Sequence, residues 1–226
     1  VSARRTRIDA AAGLLRRCSG LLLLGICGCV GLRGAVYLFS PQHVQKPEFA
    51  LTSGKLVILV DAVQPGEANP VFERSLHEEL LRQMREFELS TQVVPYDQII
   101  TLRQTNPGFR DWNIQRIGRQ LGADQVLYIR VDRLQLGGRD EPVVSPAVKL
   151  CMKVIGVREP AANARLWPDS ASEPDGRCLT HERAAKEAGG PEVLDAEAAK
   201  LAREVAYYLL RPFRKWDLEE VPTREP

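Results

Sequence analysis

The sequence predicts an α/β (α+β) single domain in which a mixed sheet of about five to six strands packs against three main helices. Three patterns carry this. Residues 55–61 are a continuous aliphatic run of strand length, residues 148–154 alternate apolar with polar, and residues 72–87 and 198–209 repeat apolar side chains at three- and four-residue steps. An unbroken run suits a strand buried on both faces, alternation suits a strand with one wet face, and the longer step is one face of a helix. The order strand, helix, strand, helix, strand, strand, strand, helix belongs to a sheet with helices laid on it.

Taken in order, Lys55–Asp61 is the first central strand, broken by Pro65 and Gly66. Asn69 caps the next helix with Pro70 in its first turn, and Phe72, Leu76, Leu80, Met84 and Phe87 form its core stripe. Residues 91–95 are a short strand closed by Pro95. Asp97 is expected to cap a short helix through Ile99, Ile100 and Leu102. Asp111 is expected to cap the following one, whose apolar face is Ile114, Ile117 and Leu121 and whose left-handed stop is Gly122. Residues 125–132, continuing to Leu136, read as a strand ended by Gly137 and Gly138. The alternating strand follows, and Ala164–Trp167 returns as the arm of a hairpin. Residues 169–192 read as a loop with a strand around Arg177–Arg183. In the last helix Ala198, Leu201, Ala202, Val205 and Leu209 are buried, and Pro212 stops it.

Ahead of this domain stand Arg4, Arg5, Arg7, Arg16 and Arg17, then an apolar run from Cys18 to Gly28, then Cys29. A positive flank, an apolar core of about 7–15 residues and small residues behind it make an export signal, and the run is short of the about 20 residues of a membrane span. Arg33 interrupts its continuation toward Val36–Phe39, so an uncleaved signal anchor is the alternative to cleavage. Val1 suits a start read from a GTG codon, and the chain is expected to be a whole precursor. The parts are then 1–28 signal, 29–54 tether beginning at a lipidated Cys29, 55–212 globular domain, and 213–226 a loose acidic, proline-bearing tail.

The chain has 31 basic and 29 acidic residues; the signal takes five Arg and Asp9, which leaves 26 against 28, a net charge of −2. A near-neutral exported part lacks the cationic excess of a nucleic-acid binder, and about 200 residues suffice for one core. Of five cysteines, Cys151 and Cys178 are candidates for a disulfide, which an oxidising compartment permits. Spacing alone does not show that their Cβ atoms meet.

Sharper chemical readings are few. His77-Glu78 begins like a zinc-protease helix, but Leu81 stands where the second histidine is needed, so an exposed polar helix face is expected. Cys178 and His181 have the spacing of a thiol–imidazole pair without an orienting third group. Asp61 and Asp132 end or interrupt strands, and an enzyme would need them, or Cys178, in one concave cluster. The sequence offers no catalytic, cofactor or metal motif. Arg211, Phe213, Arg214, Lys215 and Trp216 follow the last helix and suit a partner surface, the competing reading being a solvated helix end.

Residues 26–29, with the aliphatic Ile26 three places before Cys29 and Gly28 directly before it, resemble the lipobox of bacterial lipoproteins. That resemblance implies cleavage before Cys29, a diacylglycerol on its thiol and palmitate on its amine. Within the domain, the segment GRQLGADQVLY at 118–128, the strand VKLCMKVI at 148–155, a hairpin ending in Trp167 and a terminal helix resemble, over about residues 55–211, the lipoprotein superfamily of the curli secretion channel subunit and the outer-membrane activators of penicillin-binding proteins. The channel subunit's membrane hairpins would be long alternating insertions, and none occurs here. The resemblance implies a non-enzymatic, lipid-anchored periplasmic protein that binds or assembles a protein partner, with homo-oligomerisation as in the channel-forming relatives a further option. Val30 after Cys29 suits sorting to the outer membrane. The competing expectations are a signal-anchored inner-membrane protein and an envelope enzyme.

Overall fold

In the computed structural model the aliphatic run becomes β2 (Lys55–Ala62), with Leu56, Val57, Ile58, Leu59 and Val60 all at or below 4% exposure. The structure describes residues 44–63, 69–89, 92–137, 143–187 and 191–217; the export signal and Cys29 lie outside them. After β1 (Val44–Gln45) and β2 come α1 (Pro70–Glu86), β3 (Gln92–Val93), α2 (Tyr96–Thr105), α3 (Ile114–Gln120), β4 (Gln125–Gln135) and β5 (Val143–Val144). Then follow β6 (Ala147–Gly156), β7 (Arg165–Trp167), β8 (Arg177–Glu182), β9 (Lys186–Glu187), α4 (Pro191–Leu210) and β10 (Trp216–Asp217).

The main sheet has six strands in the order β3-β2-β4-β6-β7, with β8 also paired to β6. β2 is parallel to β3 and β4, while β4–β6, β6–β7 and β6–β8 are antiparallel. The mixed α/β sheet is the architecture the periodicities predict; among the described residues it carries four helices where three main ones were expected. The register is Val57↔Val126 and Leu59↔Tyr128 across β2–β4, and Val126↔Ile155 across β4–β6.

Period two sends alternate residues to opposite faces. One face (Leu56, Ile58, Val60, Leu127, Ile129, Leu150, Met152) meets the stripes of α1 and α4, including Phe72, Leu76, Leu201 and Leu209. Burial of each such side chain is worth about 1.5–3 kcal/mol. The second face (Val57, Leu59, Val126, Ile155) is covered by Ile99, Phe109, Ile117 and Leu121 from the segment between β3 and β4. Tyr128 packs at the edge of that cover, and beyond it the face carries polar side chains, Asp61 and Arg130 among them.

Helix starts are set locally. Asn69 Oδ1 accepts from the Phe72 amide at 2.8 Å, as its position before Pro70 predicts. Two expected caps move. Pro95 occupies the N-cap of α2 with Asp97 inside the first turn, and Asn113, not Asp111, caps α3 by accepting from the Arg116 amide at 2.8 Å. Asp111 is instead spent in a 3-10 turn, Phe109–Asp111, that buries Phe109. Gly122 takes φ +67°, the left-handed stop its place predicts.

Residues of the expected tether and tail carry ordered contacts within the domain. β1 pairs antiparallel with β10, Val44 opposite Asp217 and Gln45 opposite Trp216. The amides of Glu48 and Phe49 both donate to Pro212 O, at 2.7 and 3.2 Å. Phe49 and Leu51 pack on the main core, and Phe213 is 3% exposed within it. Two short segments, 170 residues apart, lack any partner until the domain brings them side by side, which is why punctuation by Pro and Gly reads as linker.

Candidate functional site

The surface expected after the last helix is only partly a surface. A 3-10 turn, Arg211–Phe213, folds back from the end of α4. It drives Phe213 edge-on against Trp167, ring centres 5.1 Å apart, and against Phe49 at 6.5 Å. Arg214 is 5% exposed, with its guanidinium 4.3 Å from the Phe87 ring centre and 4.8 Å from that of Tyr207. Phe213 and Arg214 are therefore interior and offer nothing to a partner. Lys215 is exposed, and Arg211 and Trp216 are half-buried. Arg211 is stacked among aromatic rings, 4.5 Å from Trp216, 4.7 Å from Tyr208 and 5.3 Å from Tyr207. Such cation–π contacts hold a guanidinium in place while leaving one edge wet.

A cleft of about 210 Å³ opens beside this stack, floored by Met152, Leu179 and Leu209 and rimmed by Glu48, Arg177 and Trp216. Arg177 is clamped on two sides, by Glu173 at 2.7 Å and by Glu48 at 2.9 Å, and lies 5.4 Å from the Trp167 ring centre. Glu48 and Arg177 are 129 positions apart. No sequence pattern pairs them.

The polar half of the second sheet face collects the acids singled out as strand-end candidates. Asp61 lies opposite Arg130, and Arg130 opposite Cys151, which lies opposite Cys178. A bulge between Val131 and Arg133 leaves Asp132 outside the ladder, and Arg130 Nε donates to its carboxylate at 2.7 Å. Arg130 also reaches Asp175 at 3.5 Å. Tyr128 donates its hydroxyl to Asp61 at 3.4 Å; burial first, and then the Asp61 charge, push its pKa up to about 12. Lys153 stands over the Tyr128 ring at 5.2 Å, its pKa lowered by burial and by the neighbouring Arg165 and Arg130. The candidates therefore do share a face, but each acid there already has a partner.

Cys151 and Cys178 are bonded, S–S 1.99 Å, across β6 and β8. Cys178 therefore has no thiol to act as a nucleophile. His181, three residues on, points to the other face, where its Nε2 is 2.8 Å from Glu204 Oε2. An odd separation on a strand divides the pair. Gly176, φ +105°, lets β8 begin close against β6: a Cβ there would fall 2.4 Å from Met152 O.

His77 corrects another expectation. It is 1% exposed, not part of a wet helix face. Its Nε2 is 3.1 Å from Val94 O and its ring stacks near Tyr96, centres 5.5 Å apart. Burial lowers its pKa to about 4. Beside it Glu73, 6% exposed, is raised by burial and opposed by Arg103 at 3.3 Å. These groups lock α1 to α2. Among the described residues no group of three His, Cys, Asp or Glu is placed to hold a metal ion, and no helix is long and apolar enough to cross a membrane.

The sequence matches no protein-family profile and no curated protein. Solved structures give likenesses of chain path. A Xanthomonas campestris protein of the DUF330 family is 14% identical, covers 73% of this chain and 84% of its own, and has a TM-score of 0.39. The PelC dodecamer of Paraburkholderia phytofirmans gives 14%, 75%, 93% and 0.34. Lipoprotein GNA1162 of Neisseria meningitidis gives 13%, 68%, 98% and 0.34. Bacterial lipoproteins are thus among the neighbours at low identity, and overlaps of this size leave function to be argued from the chain's own residues.

Proposed function

We propose that this chain is an exported, lipid-anchored protein of the cell envelope that faces the periplasm, with the outer membrane as its address, and that it binds or assembles a protein partner without catalysing a reaction. The observation that carries the reading is the lipobox at residues 26–29 behind an arginine-flanked apolar run. The Cys151–Cys178 bond supports it, because such bonds persist in oxidising compartments. The engaged state of Asp61, Asp132 and Cys178 favours a binding role over an enzymatic one: each group an enzyme would draw on is held in an ion pair, a hydrogen bond or a disulfide.

Metabolic labelling with an acyl precursor tests the anchor. Label is expected on the wild-type chain and none on Cys29→Ser; label persisting on the variant sinks the lipobox assignment. A mature mass that still includes residues 1–28 would point instead to an uncleaved signal anchor. Pull-down from native envelope tests the partner, which is expected to be recovered with the wild type and with Cys29→Ser alike if the domain alone binds it. Recovery of nothing from cross-linked envelopes counts against an adaptor role.

A further inference from the structure

We propose that the end of the domain built from β1, β10 and the last turn of α4 rests on the anionic phospholipid headgroups of the membrane that holds the anchor. This rests on the Cys29 reading and adds an orientation to it. Residues 30–43 alone separate Cys29 from β1, a length of chain that reaches about 50 Å at most when fully extended, well below the reach of a tether running to residue 54. The chain is tied down at Val44 by pairing with β10 and again at Glu48 and Phe49 by Pro212 O. The β1–β10 end is therefore the part of the domain that the lipid holds closest along the chain.

Its chemistry suits a headgroup layer. Lys46 and Lys215 are both exposed, and each is next in the chain to a member of the Gln45↔Trp216 pair at the end of the ladder. Val44 is 41% exposed. Behind them stand three half-buried aromatic residues, Trp216, Tyr207 and Tyr208, with the Arg211 guanidinium among them. Tryptophan and tyrosine favour the depth of lipid headgroups, and lysine and arginine are drawn to an anionic leaflet. Two neighbouring acids are occupied internally: Glu48 by Arg177 at 2.9 Å, and Glu204 by Arg183 at 3.1 Å and His181 at 2.8 Å. Asp217, opposite Val44, is the acid left on the ladder itself. Among the described residues, the exposed cations of this end are Lys46 and Lys215.

The test uses the full lipidated chain in phosphatidylcholine vesicles with and without phosphatidylglycerol, the phospholipids brominated to quench nearby tryptophan. With phosphatidylglycerol present, quenching is expected that Trp216→Phe removes while Trp112 and Trp167 continue to emit. Lys46→Gln and Lys215→Gln should each lower the docked-to-undocked ratio about five-fold, with the vesicle-bound fraction unchanged because the lipid still holds the chain. Equal quenching in wild type and Trp216→Phe, or no response to the lysine changes, overturns the proposal. So does quenching that appears only when a cell-envelope protein is added, which would assign this end to a protein. A chain that carries no acyl group and fails to float with the vesicles overturns the anchor reading itself, an outcome distinct from a chain that floats undocked.

Discussion

His77 shows how far a single residue's role depends on its surroundings. In sequence it opens a metal-helix fragment; in the fold its ring is sealed between α1 and β3, with Val94 O, Tyr96, Arg74 and Asp97 around it. Burial holds its pKa near 4, against 6.5 in the unfolded chain. Between those values the unfolded state binds a proton that the folded state does not, so stability rises with pH across this window. The stabilisation is fully present above pH 6.5, and roughly 3 kcal/mol of it is lost as pH falls to 4. Urea midpoints for wild type and His77→Gln across this range check it: the variant should lose this slope while keeping that of the carboxylates. An unchanged slope in the variant would show that His77 is not its source. The stripe spacing that places Leu76 and Leu80 in the core was readable in sequence. Position 77 beside them, buried by the later arrival of α2 and β3, was not.

At the scale of elements, β8 is the strand whose attachment was hardest to read. It lies inside a segment rich in Ser, Pro, Asp and Gly, and its pattern of half-buried and exposed residues has no strong apolar face. It is held to β6 by a six-pair ladder and by the Cys151–Cys178 bond, which closes a separation of 27 residues. On the chain-entropy account, closing such a loop contributes about 3 kcal/mol. Cys151→Ala with Cys178→Ala should lower the unfolding free energy from denaturant titration by about that amount, and adding a dithiol reductant to the wild type should reproduce the loss. Equal midpoints in oxidised and reduced protein would refute it. By contrast β2, β4 and β6 were legible, because continuous or strictly alternating apolar patterns report burial directly. N-cap identities were legible only where Asn preceded Pro. At α2 and α3 several polar residues competed, and the turn that buries Phe109 decided between them.

For residues 44–217, the ends of the domain are the elements that change most between reading and structure. Phe213, placed in a loose tail by its position after Pro212, meets Trp167, Phe49 and the main core. Phe213→Ala should cost about 3–5 kcal/mol, as for a large aromatic removed from a core. Lys215→Ala, two positions on, should stay within about 0.5 kcal/mol. Guanidinium titrations of the two variants make the comparison, and similar losses would show that the turn does not bury Phe213 as described. The same closure joins the N-terminal strap to the C-terminal turn through the β1–β10 pair. It also converts a list of five surface candidates into two interior residues, Phe213 and Arg214, and an outward remainder, Arg211, Lys215 and Trp216.

By itself the sequence determined the α/β architecture and the order of its main elements, and it supplies the short run on which the proposed export and lipid anchor rest. Each of these is local: periodicity, capping and the composition of a short run are properties of neighbours along the chain. The tertiary structure decided what depends on residues far apart. It joined Glu48 to Arg177, β1 to β10 and Cys151 to Cys178, and it buried His77, Phe213 and Arg214. Such contacts form between positions whose separation carries no periodic signal, so only the folded chain brings them together.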